Sequence, residues 1–323
     1  MLEKLKGISK GDTEYHFFSG KGGVGKTSMA AATALYFSNQ GKKTLIISTD
    51  PAHSLSDSFK TKIGGDVCEL RKKLFAVEID PQKSMEEYKE KIAPQIQKID
   101  ALQGMGLEDV FDVGGFIPGV DELAAFDKFL QFINSKEYDI IIFDTAPTGH
   151  ALRFLSLPDV LDSWVGKMIK IRMKLSGFMN MFKKILPFGD PDEDSDMGLS
   201  QLEDMKKRIQ EAKQILTNPV ITHYHMVIIP EIMSILESER AIATLNDYGI
   251  PVEAVIVNQI IPSNPDCGFC RAKRKQQLER IEIIKEKFSK KDIKQIELLK
   301  EEVGGFDILK GISKDLYSPG SSS

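Results

Sequence analysis

Segment 20–27 reads GKGGVGKT, and it lies between a short apolar run and an alanine-rich helical pattern. It matches the pattern G-x-x-x-x-G-K-[ST] in the strand–loop–helix context that this pattern requires. Glycines at these spacings let consecutive backbone N–H groups turn toward one anion, and the N-terminus of the following helix adds its positive end. The segment therefore predicts a phosphate-binding loop. A glycine-rich turn without a ligand is the weaker alternative.

The residue types in this loop indicate separate tasks for its side chains. We expect Lys26 to reach the β- and γ-phosphates of a bound nucleotide, and the Thr27 hydroxyl to bind Mg²⁺. The predicted nucleotide-binding residues of the loop are Gly20, Lys21, Gly22, Gly23, Val24, Gly25, Lys26, Thr27 and Ser28.

Short apolar runs alternate with longer helical patterns along the chain, which is typical of a parallel sheet with crossover helices. Run 140–143 is apolar at every position, as strands covered by helices on both faces require. The predicted strands are Tyr15–Ser19, Thr44–Thr49, Leu74–Ile79, Tyr138–Asp144, Tyr224–Ile229, Val252–Asn258 and Ile293–Leu298. We predict an α/β fold, in which helices flank a mostly parallel P-loop sheet of seven or eight strands.

Segment 156–219 breaks this alternation, because it contains no convincing strand and is far longer than a crossover helix needs. An acidic, turn-forming stretch at 189–194 divides it, and a second amphipathic helix follows. The apolar residues of that helix are Leu199, Leu202, Met205, Ile209, Ala212 and Leu216. We predict an all-helical subdomain at 156–219, inserted into one core formed by 1–155 and 220–317. Residues 318–323 (SPGSSS) are typical of a disordered tail or a remnant of cloning.

Composition excludes several classes of protein. Of the 323 residues, 41% are hydrophobic and 28% are charged, which supports a folded core rather than intrinsic disorder. The net charge of −4 gives no bulk attraction to nucleic acid, and no apolar run reaches the roughly 18 residues of a membrane-spanning helix. Three cysteines are too few for a disulfide scaffold, and the N-terminus lacks the apolar stretch of a signal peptide. We expect a soluble cytoplasmic protein without a nucleic-acid partner.

Two further predicted strands end in loops that carry carboxylates. Segment 48–57 reads STDPAHSLSD, and segment 143–150 reads FDTAPTGH. The position of Asp144 suits the carboxylate that holds Mg²⁺ beside a phosphate loop. From residue type alone, Asp57 is a candidate helix N-cap, and His150 is an ordinary structural histidine.

These segments together resemble a known family of ATPases. The lysine directly after the first glycine, in KGGVGKT, resembles the deviant phosphate loop of the nitrogenase iron protein, the partitioning ATPases and the arsenite-pump ATPase. DPAHSLSD and DTAPTGH resemble switch I and switch II of the arsenite-pump and tail-anchored-protein-targeting ATPases. The resemblance extends from Tyr15 to about Leu309. It implies a P-loop ATPase that uses ATP and Mg²⁺ and acts as a homodimer or higher oligomer.

The resemblance also implies roles for single residues. Lys21 would reach the nucleotide of the partner subunit, although a solvated loop lysine is the plain alternative. Asp57 would align the attacking water, so that the expected catalytic residues are Asp57, Lys26 and Lys21. Asn258 would contact the adenine, and its amide offers both a donor and an acceptor for that edge. By residue type alone, an asparagine that ends a strand is only a turn former.

The pair Cys267 and Cys270 has the spacing C-x-x-C, which is half of a tetrahedral Zn²⁺ site. The chain has no second such pair, and Cys68 is distant in sequence. A two-fold dimer would complete the site with two sulfurs from each subunit. The targeting ATPases carry such a pair at this place, so the resemblance implies a Zn²⁺ shared across the dimer. A redox dithiol, an iron–sulfur ligand pair and unliganded cysteines remain alternatives.

Three features favour the targeting branch of the family over the arsenite pump. The chain has one phosphate loop, whereas the bacterial pump ATPase is a tandem duplication. No cysteine lies between Cys68 and Cys267, so three soft ligands for a metalloid cannot converge there. Segment 156–219 is rich in methionine, whose flexible side chain suits varied apolar partners. A methionine stripe at helical spacing is, taken alone, more often part of a core.

The resemblance therefore favours a targeting factor that shields the C-terminal transmembrane helix of tail-anchored proteins and delivers them to a membrane receptor, which the sequence does not identify. The expected client-binding residues are Met168, Met173, Phe178, Met179, Met181, Phe182 and Met205. The alternatives are an arsenite- or antimonite-stimulated ATPase subunit of a metalloid efflux pump and an ATP-independent holdase. A positioning ATPase of the partitioning type fits the methionine-rich segment poorly.

Overall fold

The computed structural model describes residues 13–49, 54–79, 128–133, 135–145, 192–263 and 267–317, without the side chains of 192–203 and 205. The strands of this part are β1 (Glu14–Ser19), β2 (Thr44–Ser48), β3 (Cys68–Arg71), β4 (Leu74–Glu78), β5 (Ile140–Asp144), β6 (Thr222–Ile228), β7 (Val252–Ile260) and β8 (Asp292–Glu297). Its helices are α1 (Lys26–Asn39), α2 (Ser54–Phe59), α3 (Asp192–Thr217), α4 (Ile232–Asp247), α5 (Gly268–Lys287) and α6 (Phe306–Tyr317). Residues 128–133 are also helical.

The strands form one sheet of eight in the order β3-β4-β2-β5-β1-β6-β7-β8. Every neighbouring pair is parallel except β3 and β4, which pair antiparallel at one edge. Strand β1 lies in the middle, with Phe17 in register with Phe143 of β5 and Tyr224 of β6. The predicted α/β class and the mostly parallel sheet are confirmed.

The seven predicted strands are all present, with ends within two residues of those expected. Among the strands of the described residues, only β3 was not predicted. This strand has four residues and alternates half-buried with exposed positions, so it leaves no apolar run. Its connection to β4 is the pair Lys72 and Lys73, with φ of 66° at Lys73. Because that turn lacks the glycine or asparagine typical of a tight hairpin, no residue pattern predicts it.

Helices cover both faces of the sheet, as the apolar strands require. Phe17 faces the core that α3, α4 and α5 share with 128–133, while Phe18 faces the core under α1, α2 and α6. Neighbours in β5 alternate in the same way, with Phe143 in the first core and Ile142 in the second. In the described part of the chain, no helix combines the length and the apolar character needed to cross a membrane.

The structure corrects one local prediction in the predicted insert. The acidic residues 192–194, expected in a turn, form the beginning of α3. Carboxylates are favourable there, because the N-terminus of a helix carries partial positive charge.

Further along α3, Ile209, Ala212 and Leu216 are buried in the core beneath the sheet. These residues therefore pack with the core of the central sheet. Residues 151–191 lie outside the described residues, so the subdomain boundaries at 156 and 219 stay predictions, as does the tail at 318–323.

Replacing Phe17 with alanine should lower the free energy of unfolding by about 3–5 kcal/mol, since it removes a fully buried ring. That ring stacks between Phe143, at a centroid distance of 4.7 Å, and Tyr224, at 5.9 Å. Urea denaturation followed by circular dichroism measures the change. Leu278→Ala on the exposed face of α5 is the control, and its cost should stay within about 0.5 kcal/mol. Equal losses in both variants would contradict this assignment of the core.

Candidate nucleotide-binding site

Segment 20–25 connects the end of β1 to the first turn of α1, and its backbone requires glycine at two positions. Gly20 has φ of 154°, and a Cβ there would lie 2.2 Å from the carbonyl oxygen of Val227. Gly25 has φ of 93°, and a Cβ there would lie 2.4 Å from Nδ2 of Asn258. Glycine is therefore needed both for the positive φ and for close contact with β6 and β7.

The side chain of Lys26 lies within this loop. It is 5% exposed, and its Nζ donates a hydrogen bond to the carbonyl oxygen of Lys21 at 3.4 Å. Its ammonium group is thus held beside the loop whose backbone would surround a phosphate. This position suits the predicted phosphate contact of Lys26. The side chain of Lys21 itself is partly exposed.

Four elements meet around the carboxylate of Asp144, which is fully buried at the end of β5. Thr27 of α1 donates its Oγ1–H to Oδ2 of Asp144 at 2.8 Å. Ser48, the last residue of β2, donates to the same oxygen at 3.3 Å. The hydroxyl of Ser54, the first residue of α2, lies 3.1 Å from Thr27 Oγ1. The structure thus brings together Thr27 and Asp144, the predicted Mg²⁺ ligands, and hydroxyl and carboxylate oxygens are the donors that Mg²⁺ prefers.

Glu78 accepts hydrogen bonds from the first turn of α2, a role that no sequence pattern predicted. Its Oε1 accepts hydrogen bonds from the backbone N–H groups of Leu55, at 3.1 Å, and Ser56, at 2.9 Å. Its Oε2 accepts from the Ser56 hydroxyl at 2.9 Å. This nearly buried carboxylate therefore caps a helix N-terminus from the end of β4.

Asp57, the expected water-aligning residue, lies in the first turn of α2 and is exposed. Because α2 begins at Ser54, Asp57 is not its N-cap, and that alternative was wrong. Residues 50–53 and 146–150, which include the rest of both predicted switches and His150, lie outside the described residues. The catalytic role of Asp57 stays a prediction.

Asn258 and Gln259 of β7 contact the phosphate loop from the other side. Nδ2 of Asn258, a residue 8% exposed, donates to the carbonyl oxygen of Val24 at 2.8 Å. Nε2 of Gln259 donates to the carbonyl oxygen of Gly23 at 2.9 Å, from a backbone with φ of 59°. Asn258 therefore supports the loop directly, a task that its residue type did not reveal. Its predicted adenine contact stays a prediction.

A cavity of about 330 Å³ opens beside Asn258. The phosphate loop and α1 contribute Gly25, Ser28 and Met29 to its wall, and residues 296–303, at the end of β8 and directly after it, also line it. Their contribution to a cavity was not predicted, because this segment has no motif of its own. The cavity adjoins the phosphate loop and is large enough to receive part of a nucleotide.

Cys267 and Cys270 lie at the N-terminus of α5. Sγ of Cys267 accepts a hydrogen bond from the backbone N–H of Cys270 at 3.1 Å, and so caps the helix. Hydrogen bonds from Cys270, first from its thiol and then from its backbone, lower the pKa of the Cys267 thiol. The same thiol contact raises the pKa of Cys270. Both cysteines are free, and two adjacent soft donors, one of them with a lowered pKa, fit half of a zinc site.

Most of the expected client-binding residues lie outside the described residues: Met168, Met173, Phe178, Met179, Met181 and Phe182. Met205 belongs to α3, where its side chain is not described.

Replacing Gly20 with alanine should lower the free energy of unfolding by at least about 2 kcal/mol, because the new Cβ combines a positive φ with a 2.2 Å contact to backbone. Gly22→Ala is the matched control in the same loop, since a Cβ there meets nothing within 4 Å. Its cost should stay within about 0.5 kcal/mol. Urea denaturation of both variants is the measurement. Similar stabilities for both would contradict the described loop geometry.

Known ATPases are similar to this chain over most of its length. The family model described as anion-transporting ATPase matches residues 13–318. The chain is 40% identical to ATPase GET3B of Arabidopsis thaliana, over 86% of this chain and 72% of that protein. It is 37% identical to ATPase get3 of Schizosaccharomyces pombe, over 98% of this chain and 94% of that protein. It is also 35% identical to ATPase ARSA1 of Chlamydomonas reinhardtii, over 90% of this chain but 40% of that protein.

The family resemblance carried by the phosphate loop and the two switch segments is therefore confirmed over nearly the whole chain. The chain belongs to the anion-transporting ATPase family and is an ATPase.

Proposed function

We propose that this ATPase is a cytosolic homodimeric targeting factor, which shields the C-terminal transmembrane helix of tail-anchored proteins and delivers them to a membrane receptor. One structural observation carries the proposal. The carboxylate of Asp144 bonds to Thr27 of the phosphate loop and to Ser48 at the end of β2, and Thr27 in turn contacts Ser54 of α2. The Asp144 carboxylate, a proposed Mg²⁺ ligand, is thus connected by hydrogen bonds to the segment 48–57 that resembles switch I.

The proposed hydrolysis uses residues that converge on the phosphate loop. Lys26, together with Lys21 of the partner subunit, would stabilise the charge of the phosphates. Thr27 and Asp144 would hold Mg²⁺, which supplies positive charge to the transferred phosphoryl group. Asp57 would align the attacking water. Asn258 would keep the loop in place through its bond to Val24 and contact the adenine in the adjoining cavity.

Coupling of hydrolysis to client release follows from the energy of burial. A transmembrane helix has about 20 mostly apolar residues, and each buried large side chain contributes about 1.5–3 kcal/mol. Release therefore requires a conformational change that dismantles the binding surface. Switch segments that respond to the γ-phosphate are a known means of such a change. In the proposal, the methionine-rich segments of both subunits form this surface.

The dimer in this proposal is joined by Zn²⁺. Cys267 and Cys270 of each subunit would supply two thiolates, and the pair from the other subunit would complete a tetrahedral site. The free thiols at the start of α5 and the lowered pKa of Cys267 support this proposal.

The distribution of cysteines argues against the metalloid alternative. Cys68 lies on the edge strand β3, whereas Cys267 and Cys270 follow β7, six strand positions away in the sheet. At about 4.8 Å per strand this separation is about 29 Å. Three thiolates of one chain therefore cannot bind one arsenite.

Asp57→Asn should leave ATP binding intact and slow hydrolysis by about a hundredfold or more, because the amide puts an NH₂ donor where a carboxylate oxygen would accept a hydrogen bond from the attacking water. Steady-state phosphate release and equilibrium binding of ATP measure the two effects separately. Asp247→Asn, at the exposed end of α4, is the control and should hydrolyse at the normal rate. Undiminished hydrolysis by Asp57→Asn would remove this residue from the mechanism.

The carrier function is tested by co-expression with a model protein that has one C-terminal transmembrane helix. Copurification should require that helix, and it should be lost when Met168, Met173, Met179 and Met181 are changed to aspartate. Met233→Asp is the matched control, since this methionine is 60% exposed on α4, outside the predicted surface.

Failure of an active ATPase to copurify any client would contradict the proposal. Stimulation by arsenite would then support the metalloid alternative, whereas capture unaffected by Lys26→Ala would indicate a holdase.

A further inference from the structure

A second cluster of chemically active side chains lies at the opposite end of the sheet from the phosphate loop. Glu14 and His16 stand near the beginning of β1, on the same face because they are two residues apart. His223 of β6 is in register with His16 across the parallel pair. One carboxylate oxygen of Glu14 and one ring nitrogen from each histidine all lie within 4.8 Å of one another.

Each of these two histidines already uses its Nδ1 in a hydrogen bond. Nδ1 of His223 contacts Oε2 of Glu253 on β7 at 2.5 Å, and Nδ1 of His16 lies 3.1 Å from Nε2 of His225. When Nδ1 carries the proton, Nε2 presents a lone pair. A histidine that binds a metal generally donates its other N–H in this way, to a carboxylate or another acceptor, which fixes the ring.

The unused nitrogen of His16 is the second, independent observation. The His16 side chain is buried, and Nε2 has no hydrogen-bond partner among the described residues. A buried polar atom without a partner is costly and uncommon in folded proteins. A ligand at Nε2 of His16 would supply the partner that this atom lacks among the described residues.

We propose that Glu14, His16 and His223 bind a first-row divalent metal ion of the zinc type. Two imidazoles and one carboxylate are a known zinc donor set, which leaves a fourth position for water. Nitrogen donors favour such ions over Mg²⁺ or Ca²⁺. This site is separate from the nucleotide-bound Mg²⁺ and from the cysteine pair, and it does not depend on the proposed carrier function.

The charges around the cluster are compatible with a cation. Glu14 and Glu253 supply two carboxylates, and Lys294 of β8 supplies one opposing positive charge. Nζ of Lys294 donates to the carbonyl oxygen of Leu316 at 2.8 Å and lies 4.6 Å from the ring centre of Tyr317. Burial lowers the pKa of Lys294. The ammonium group is thus already engaged with α6.

Metal binding requires a small rearrangement at the accessible rim of the cluster. Oε2 of Glu14 lies 4.0 Å from Nε2 of His223, whereas two ligands of a tetrahedral zinc are about 3.3 Å apart. The rings of His16 and His223 are stacked, with centroids 4.8 Å apart, so His223 must turn before both lone pairs meet one ion. The side chains of Glu14 and His223 are 18% and 15% exposed, which gives them room to move and gives the ion an entry path.

The test uses the full chain with Cys267→Ser and Cys270→Ser, which removes the thiol site, and Co²⁺ as the probe. We expect one Co²⁺ per chain, with a visible spectrum of nitrogen and oxygen ligands and no thiolate band, and a higher Tm with Co²⁺ than without it. Glu14→Gln and His223→Gln should each weaken binding at least tenfold. Glu253→Gln should weaken it by about 10- to 100-fold through the orientation of His223.

Glu239→Gln is the control, because Glu239 forms only a surface ion pair with Lys287 among the described residues, and it should bind Co²⁺ normally. Circular dichroism without metal establishes that each variant is folded.

A second measurement leaves the cluster unaltered: Zn²⁺ should protect His223 from modification by diethylpyrocarbonate, as measured by mass spectrometry. No uptake of Co²⁺ by the chain without the two thiols, or uptake that neither Glu14→Gln nor His223→Gln weakens, would overturn the proposal. So would equal modification of His223 with and without Zn²⁺.

Discussion

The buried carboxylate of Asp144 is the interaction on which the arrangement of the nucleotide site depends. It lies at the end of the central strand β5 and accepts hydrogen bonds from Thr27 and Ser48, so it joins α1 to β2. A fully buried carboxylate is tolerated only when hydrogen bonds replace its water. The elements that deliver those hydroxyls are therefore held in position by the same group that would bind the metal of the nucleotide. Asp144 therefore has a structural task beside its proposed role in Mg²⁺ binding.

The phosphate loop is held from the other side by contacts that leave no room for a side chain. Gly20 approaches the carbonyl oxygen of Val227 in β6, and Gly25 approaches the amide of Asn258 in β7. Asn258 also donates a hydrogen bond to the carbonyl oxygen of Val24. The loop after β1 is therefore held by β6, the neighbouring strand, and by β7, the strand beyond it. Because these contacts are made by strands, the shape of the loop is set by the central sheet.

The features that could be predicted are those with a short sequence pattern. Buried parallel strands appear as runs of apolar residues, the glycine motif predicts the phosphate loop with Thr27, and Asp144 ends a predicted strand. The residues whose roles were not predicted form their hydrogen bonds with segments that are distant in sequence. Ser48, Ser54 and Glu78 are common residue types at element ends, and only the packing of β2, β4 and α2 gives them partners. The short edge strand β3 was missed for a related reason, since half of its residues face solvent.

The polarity of the fold gives different electrostatic surroundings to the nucleotide site and to the proposed metal site, which lie at opposite ends of one sheet. In a parallel α/β sheet, helix N-termini meet the carboxyl ends of the strands, where their partial positive charge favours phosphate. Helix C-termini meet the other end, as Thr217 of α3 does shortly before β6 begins at Thr222, and their carbonyl groups favour a cation. Glu14 and His223 stand at that end. The strand direction that places helix N-termini at the phosphate loop therefore leaves helix C-termini at the end of the sheet where the metal site is proposed.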